Sequence, residues 1–211
     1  MSSSRWIALV VLVVLAATLL VLGGCPAQPQ TEGPLVVPPQ PPGPAAAAGK
    51  FVWTEKPAVA DLPAGEVTGM LNGKPFTAKS VWVEKKDQEI TLILSAAVTK
   101  KPGEVITNDT GVDLRFTLPE GKPGELVLAI ADKKEFEQQH AYYHYPQGGD
   151  KGPMSVNAEW GVALQITDWT VLPDPPDPEV LGRIKGKVAI CFSDDTKSWV
   201  AGSFDTAYIK W

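Results

Sequence analysis

Arg183-Ile184-Lys185-Gly186-Lys187-Val188-Ala189-Ile190-Cys191-Phe192 is the stretch that decides the fold. Ile184, Val188, Ile190 and Phe192 share one parity, and Arg183, Lys185 and Lys187 share the other. Side chains in a strand alternate between faces with a period of two, so this pattern specifies a strand with one face toward a core. Ser193-Asp194-Asp195-Thr196 supplies turn formers, and Lys197 to Trp211 returns as the second arm of a hairpin. Working back along the chain, Met154 to Leu172 alternates in the same way. Val156, Ala158, Trp160, Val162, Leu164 and Ile166 fall on one face, whereas Trp169 and Val171 fall on the other. A one-residue slip near Thr167-Asp168 would return these last two to the core, so a bulge or bend is expected there. Glu125 to Ala131 is apolar on both faces and reads as a central strand. In Val112 to Leu118, Val112, Leu114, Phe116 and Leu118 point inward and Asp113, Arg115 and Thr117 outward. Glu89 to Val98 places Ile90, Leu92 and Leu94 on one face. Gly65 to Lys85 holds two strand-like runs around Asn72-Gly73, a pair that suits a type I′ turn because both residues tolerate positive φ. Lys133 to Gln139 reads as a short helix or a loop.

No amphipathic helix is visible from Lys50 onward. Short β-rich runs punctuated by Gly, Pro, Asn and Asp predict an all-β domain: an antiparallel β-sandwich or barrel-like fold of roughly eight to ten strands. It occupies residues 50–211, enough chain to bury a full core without metals or disulfides.

The preceding 49 residues divide in two. Residues 1–24 have a short charged start with Arg5, then an almost unbroken apolar run from Trp6 to Leu22, then Gly23 and Gly24, the layout of a secretory signal. The run is long enough for an uncleaved transmembrane anchor to be the competing reading. Residues 25–49 carry eight prolines from Pro26 to Pro44 and almost no charge. Proline fixes φ and removes a backbone donor, so an extended, semi-rigid linker is expected.

Leu22-Gly23-Gly24-Cys25 resembles the bacterial lipobox, an aliphatic residue and two small ones before cysteine. The resemblance implies a signal peptide cleaved after Gly24 and a diacylglycerol on the Cys25 sulfur, often with a further acyl chain on the new amino group. Two or three chains hold a protein stably where one does not. Pro26 rather than aspartate after the cysteine favours an outer membrane. The segments Gly69-Met70-Leu71-Asn72-Gly73-Lys74-Pro75-Phe76, Gly182 to Val188 and Ser198 to Phe204 resemble β domains of uncharacterised bacterial lipoproteins. That resemblance implies a fold and a compartment, the periplasmic or extracellular face of a cell-envelope membrane, and brings no catalytic residues.

The net charge of −5 falls to −6 when Arg5 leaves with the signal, with 18 basic against 24 acidic side chains. Such a chain has neither the electrostatic footprint of a nucleic-acid binder nor a polybasic patch for anionic lipid. With Cys25 lipidated, Cys191 has no intramolecular partner and is expected to be a buried, unpaired thiol.

His140 and His144, the only histidines, are four apart and share a face on a helix or a strand. Imidazole ligates zinc and copper, with Glu135, Glu137 and Asp150 near in sequence, but no third His or Cys completes a set and the His-Glu-x-x-His signature is absent. The expectation is no metal and no cofactor. Asp109-Thr110-Gly111-Val112-Asp113 and Asp194-Asp195 lack calcium-loop spacing and read as turns. No serine lies in Gly-x-Ser-x-Gly or Ser-x-x-Lys. Of Trp53, Trp82, Trp160, Trp169, Trp199 and Trp211, most are expected in the core. Tyr142, Tyr143 and Tyr145 are different, because neighbouring parities prevent all three from facing inward. The function these features favour is a non-enzymatic binding or structural module, tethered to the membrane through Cys25, with an envelope protein or glycan as partner. The alternatives are a hydrolase-type envelope enzyme with a scattered site and a metal-binding protein using His140 and His144.

Overall fold

Eleven strands and a single 3-10 turn make up the regular structure of the computed structural model, which describes residues 51–98, 112–119, 121–132, 139–147, 152–175 and 177–210. The chain divides into two compact units, Met1–Pro41 and Pro42–Trp211, and every described residue lies in the second. The strands are β1 (Thr68–Leu71), β2 (Lys74–Thr77), β3 (Ser80–Lys86), β4 (Glu89–Ser95), β5 (Asp113–Thr117), β6 (Gly124–Leu128), β7 (Ala141–Tyr145), β8 (Met154–Val156), β9 (Trp160–Val171), β10 (Val180–Phe192) and β11 (Trp199–Lys210). Among the described residues there is no α-helix.

The long hairpin forms as its alternation dictates. β10 and β11 pair from Val180↔Ile209 to Cys191↔Trp199, and Ile184, Val188, Ile190 and Phe192 all enter the main core. Asp194 shapes the turn: its Oδ1 accepts the Thr196 N–H at 3.2 Å and the Ser198 N–H at 2.8 Å. β9 lies on the other side of β10, and the slip expected near Thr167-Asp168 is present. Lys185 faces Asp168 while Gly186 faces Ile166, so Thr167 is the extra residue of a bulge. The bulge returns Trp169 to the core, edge-on to Tyr208. It does not return Val171, which stays 60% exposed near the end of its strand, where the hairpin outruns the core beneath it. At the other end of the domain, Asn72 (φ 50°) and Gly73 (φ 68°) make the expected two-residue turn between β1 and β2.

All strands belong to one sheet, ordered β6-β9-β10-β11-β3-β4-β5-β7-β8, with β1 and β2 branching from β11. The nine-strand path curls into a half-barrel. Strands far apart in that order meet across its inner face: Phe116 of β5 packs edge-on against Trp160 of β9, and Tyr143 of β7 against Phe192 of β10. The sheet is thus a single curled layer closing on its own core, nearer the barrel-like expectation than the sandwich. It is antiparallel with one exception, since β3 runs parallel to the end of β11 from Tyr208↔Val83 to Lys210↔Lys85. β11 is long enough to have two partners along one edge. Its first residues pair with β1 (Thr68↔Ala201 to Met70↔Trp199), and its last ones with β3. Where the lead-in to β1 crosses β11, the chains approach so closely that a Cβ on Gly202 would collide with the backbone of Glu66 and Val67.

The expectation of a central strand at Glu125–Ala131 is corrected. β6 ends the order and pairs only with β9 among the described residues, and Val127 is 51% exposed. Leu126 and Leu128 face the core while Val127 points outward, and residue type alone does not fix which strands flank a run. Lys133–Lys134 and residues 135–138, like Asp109 to Gly111 and Asp150, lie outside the described residues, so the helix-or-loop reading at Lys133–Gln139 falls mostly there.

The outer face of β9–β11 is also covered. Ala163, Ala189 and Ala201 stand directly opposite one another across the three strands, with Cys191 beside them, and these small side chains leave a shallow trough. The arm Phe51–Leu62, which includes the 3-10 turn Val59–Asp61, fills it with Phe51 and Leu62. Trp53 Nε1 donates to the Phe192 carbonyl at 2.8 Å, the Ile130 N–H donates to the Glu55 carbonyl at 3.0 Å, and Lys197 Nζ sits 4.1 Å from the Trp53 ring centroid.

Candidate functional site

Curling without closure leaves a gap between the β6–β9 side of the sheet and the β4–β5 side. Along it runs a cleft of about 820 Å³. One wall is Gly124 to Leu126 of β6 with Leu164 and Ile166 of β9. The other is Gln88 to Ile90 at the start of β4 and Thr117 to Pro119 at the end of β5. Alternation determines the character of the lining. Leu118, Leu164 and Ile166 belong to the buried core, with Ile90 and Leu126 packed half-buried against it, and they give an apolar floor. Gln88, Glu89, Lys122, Glu125, Gln139 and His140 form a polar rim of mixed charge. The β4–β5 wall is fixed by Leu118 N–H donating to the Ile90 carbonyl at 2.7 Å, Thr117 N–H to the His140 carbonyl at 2.8 Å, and Thr117 Oγ1 to Glu89 Oε1 at 3.2 Å. A second cavity of about 370 Å³ adjoins through Glu89 and His140, which line both, and includes Tyr142, Asn157, Ala158 and Trp160. Concave, mainly apolar floors with a few rim groups are the usual form of small-molecule sites.

The structure separates the two histidines by role. His140 is exposed at the cleft rim. His144 lies on the outer face of β7, where its Nδ1 is 3.0 Å from Asp113 Oδ1 and its ring stands edge-on to Tyr142 at 5.2 Å. Asp113 was expected to face solvent but is 6% exposed. It also accepts from Arg115 Nε at 3.1 Å, and Glu84 Oε1 lies 3.8 Å from Arg115 Nη1. Burial works against the Arg115 charge, but the bond and attraction from Asp113, with Tyr142 and Glu84, prevail and raise its pKa. Among the described residues no three His, Cys, Asp or Glu gather as a metal site would require, and Glu135, Glu137 and Asp150 lie outside them. Cys25 and residues 1–24 lie outside as well.

The tyrosines split by parity: Tyr142 lies on the outer face with His144, whereas Tyr143 and Tyr145 face the core. Tyr143 is buried, donating to Asp194 Oδ2 at 2.6 Å and lying 3.1 Å from Ser198 Oγ, and Tyr145 packs half-buried beside it. Burial and the bond to Asp194 push the Tyr143 hydroxyl up to about 12. Asp194 is therefore a turn residue with both oxygens engaged by protein donors. Trp82 and Trp160 are buried and Trp53, Trp169 and Trp199 half-buried. Cys191 is free and fully buried, and burial pushes its thiol up to about 11. Sequence reasoning missed the cleft floor, whose residues come from four separate segments, and it missed the Asp113–His144 contact across 31 positions. No family model, curated protein or solved structure matches the chain.

Proposed function

We propose that this chain is a lipid-anchored protein of the bacterial envelope whose β unit is a binding module, holding a small, partly apolar ligand in the cleft between β4–β5 and β6–β9. The observation that carries the reading is the cleft itself, an apolar floor continuous with the core under a rim that offers both charges and two amides. Such a site gains affinity from the area it removes from water and orientation from the rim. No redox group or nucleophile is required of it. The lipobox-like Leu22-Gly23-Gly24-Cys25 and the proline-rich linker supply the tether, which would keep the module at a membrane surface.

The test uses the soluble unit 42–211, which contains the whole described core. Titration with 1-anilinonaphthalene-8-sulfonate should give a saturable fluorescence rise at a single site. Leu126→Glu, which places a charge at the half-buried wall of the cleft, should remove the saturable component while leaving the far-ultraviolet circular dichroism unchanged. A non-saturable response, or one that Leu126→Glu leaves intact, would overturn the reading.

A further inference from the structure

On the outer face, away from the cleft floor, the register of β5, β7 and β8 places three side chains in one row. Asp113 is the cross-strand partner of His144, and His144 is the partner of Ser155. Residues directly opposite in an antiparallel pair share a face, with Cβ atoms about 5 Å apart. Burial agrees with this assignment, since Val156, the next residue, packs against the inner core and Ser155 is exposed. Asp113 is nearly buried and held on its other oxygen by Arg115, so its carboxylate is fixed beside His144 Nδ1 at 3.0 Å. A carboxylate there accepts a hydrogen bond from Nδ1–H, which fixes the tautomer with a free Nε2 lone pair as the base. Tyr142, edge-on to the imidazole, holds the ring's orientation. The His144 side chain is 25% exposed, and in the register Ser155 of β8 flanks His144 on the side opposite β5 and Asp113.

We propose that Ser155 and His144 are the nucleophile and base of an acyl-transfer site, with Asp113 as the positioning residue, acting on activated esters. Ser155 Oγ attacks the ester carbonyl carbon and its proton passes to His144 Nε2. The carbon–alkoxy bond then breaks, and the leaving alkoxide takes that proton. Water repeats the sequence on the acyl-serine, releasing the acid and restoring Ser155. The three residues lie at positions 113, 144 and 155, in no recognised serine-hydrolase motif, and only the strand register brings them together.

The test uses the full chain in its membranes with a fluorophosphonate probe. Ser155 Oγ displaces fluoride from phosphorus, so the label should map to Ser155 by peptide mass, vanish in Ser155→Ala and fall at least tenfold in His144→Gln. Asp113→Asn should reduce labelling, and Asp113→Glu should restore part of it. Ser155→Cys gives a second readout at an exposed position that tolerates change. Its thiol should react with iodoacetamide at least tenfold faster than in Ser155→Cys/His144→Gln. Absence of label on Ser155, or equal iodoacetamide rates with and without His144, would overturn the proposal without bearing on ligand binding in the cleft.

Discussion

At the residue scale, two buried groups carry testable consequences. Burial raises the Cys191 thiol from its ordinary 9.0 to about 11. A raised acid favours the folded state below its unfolded pKa, and that contribution is lost as pH rises between the two values. Native stability should therefore fall from about pH 9 upward, and Cys191→Ala, which adds one more alanine to a trough of alanines, should flatten the alkaline slope in urea titrations read across pH. Ellman's reagent should react slowly with native protein and fully after denaturation. Asp194, which accepts from the Tyr143 hydroxyl, responds at the opposite end of the pH scale. Burial alone would raise the Asp194 pKa, but hydrogen bonds from Ser198, Tyr143 and Thr196 outweigh it and hold the carboxyl below its usual 3.8. A depressed acid stabilises the fold above its unfolded pKa, and that stability is lost as pH falls through the folded value. Tyr143→Phe removes a donor to a carboxylate, so it should cost about 2 kcal/mol at neutral pH and weaken the acid dependence below about pH 4, measured by urea unfolding.

At the scale of elements, the arm Phe51–Leu62 does what a further sheet would do in a sandwich: it covers the outer face of β9–β11. Its hold rests on burial of Phe51 and Leu62, on Phe51 against Trp199 at 5.4 Å, and on the Trp53 bond to Phe192. Phe51→Ala removes a large buried ring and leaves a cavity over Cys191, so it should cost about 3 kcal/mol. Because the arm shields the thiol, the same variant should speed native reaction with Ellman's reagent at least tenfold. A loss of stability with no change in thiol rate would mean that the arm stays seated and only the packing beneath it changed. The bulge at Thr167 is the other element-level device. It shifts the parity of β9 so that Trp169 returns to the inner core after Ile166, and the alternation of the sequence shows it directly.

At the scale of the whole molecule, the described β unit and the segment before it are separate matters. The tether proposed on Leu22-Gly23-Gly24-Cys25 makes a direct prediction. Cys25→Ser should abolish incorporation of a palmitate analogue and leave residues 1–24 on the chain, as read by gel fluorescence and intact mass. Label in the Ser variant, or residues 1–24 retained in the wild type, would favour the uncleaved apolar anchor instead. For the β unit, the consequence of an unclosed barrel is the cleft. A fully closed barrel has no edge, whereas this sheet ends at β6 and β8 among its described strands, and the gap beside β6 is where the core meets solvent.

How much of this was legible follows from what each signal depends on. Alternation, turn residues and the parity slip are local, so the sequence by itself determined an all-β domain, the β10–β11 hairpin, the Asn72-Gly73 turn, the bulge and the buried thiol at 191. Strand order is not local. That β6 lies at an edge, that β11 divides one edge between β1 and a parallel β3, and that the arm Phe51–Leu62 fills a trough of alanines depend on which strands meet. Many pairings satisfy the same alternation, and only packing of the whole core selects among them. The candidate sites are of this second kind. Asp113 reads as a solvent-facing residue in its own strand, and it became a buried partner of His144 because β5 and β7, separated in sequence by β6, are neighbours in the sheet. The cleft floor likewise joins residues of β4, β6 and β9 with Leu118, and it exists only because the tertiary structure curls the sheet and stops short of closing it.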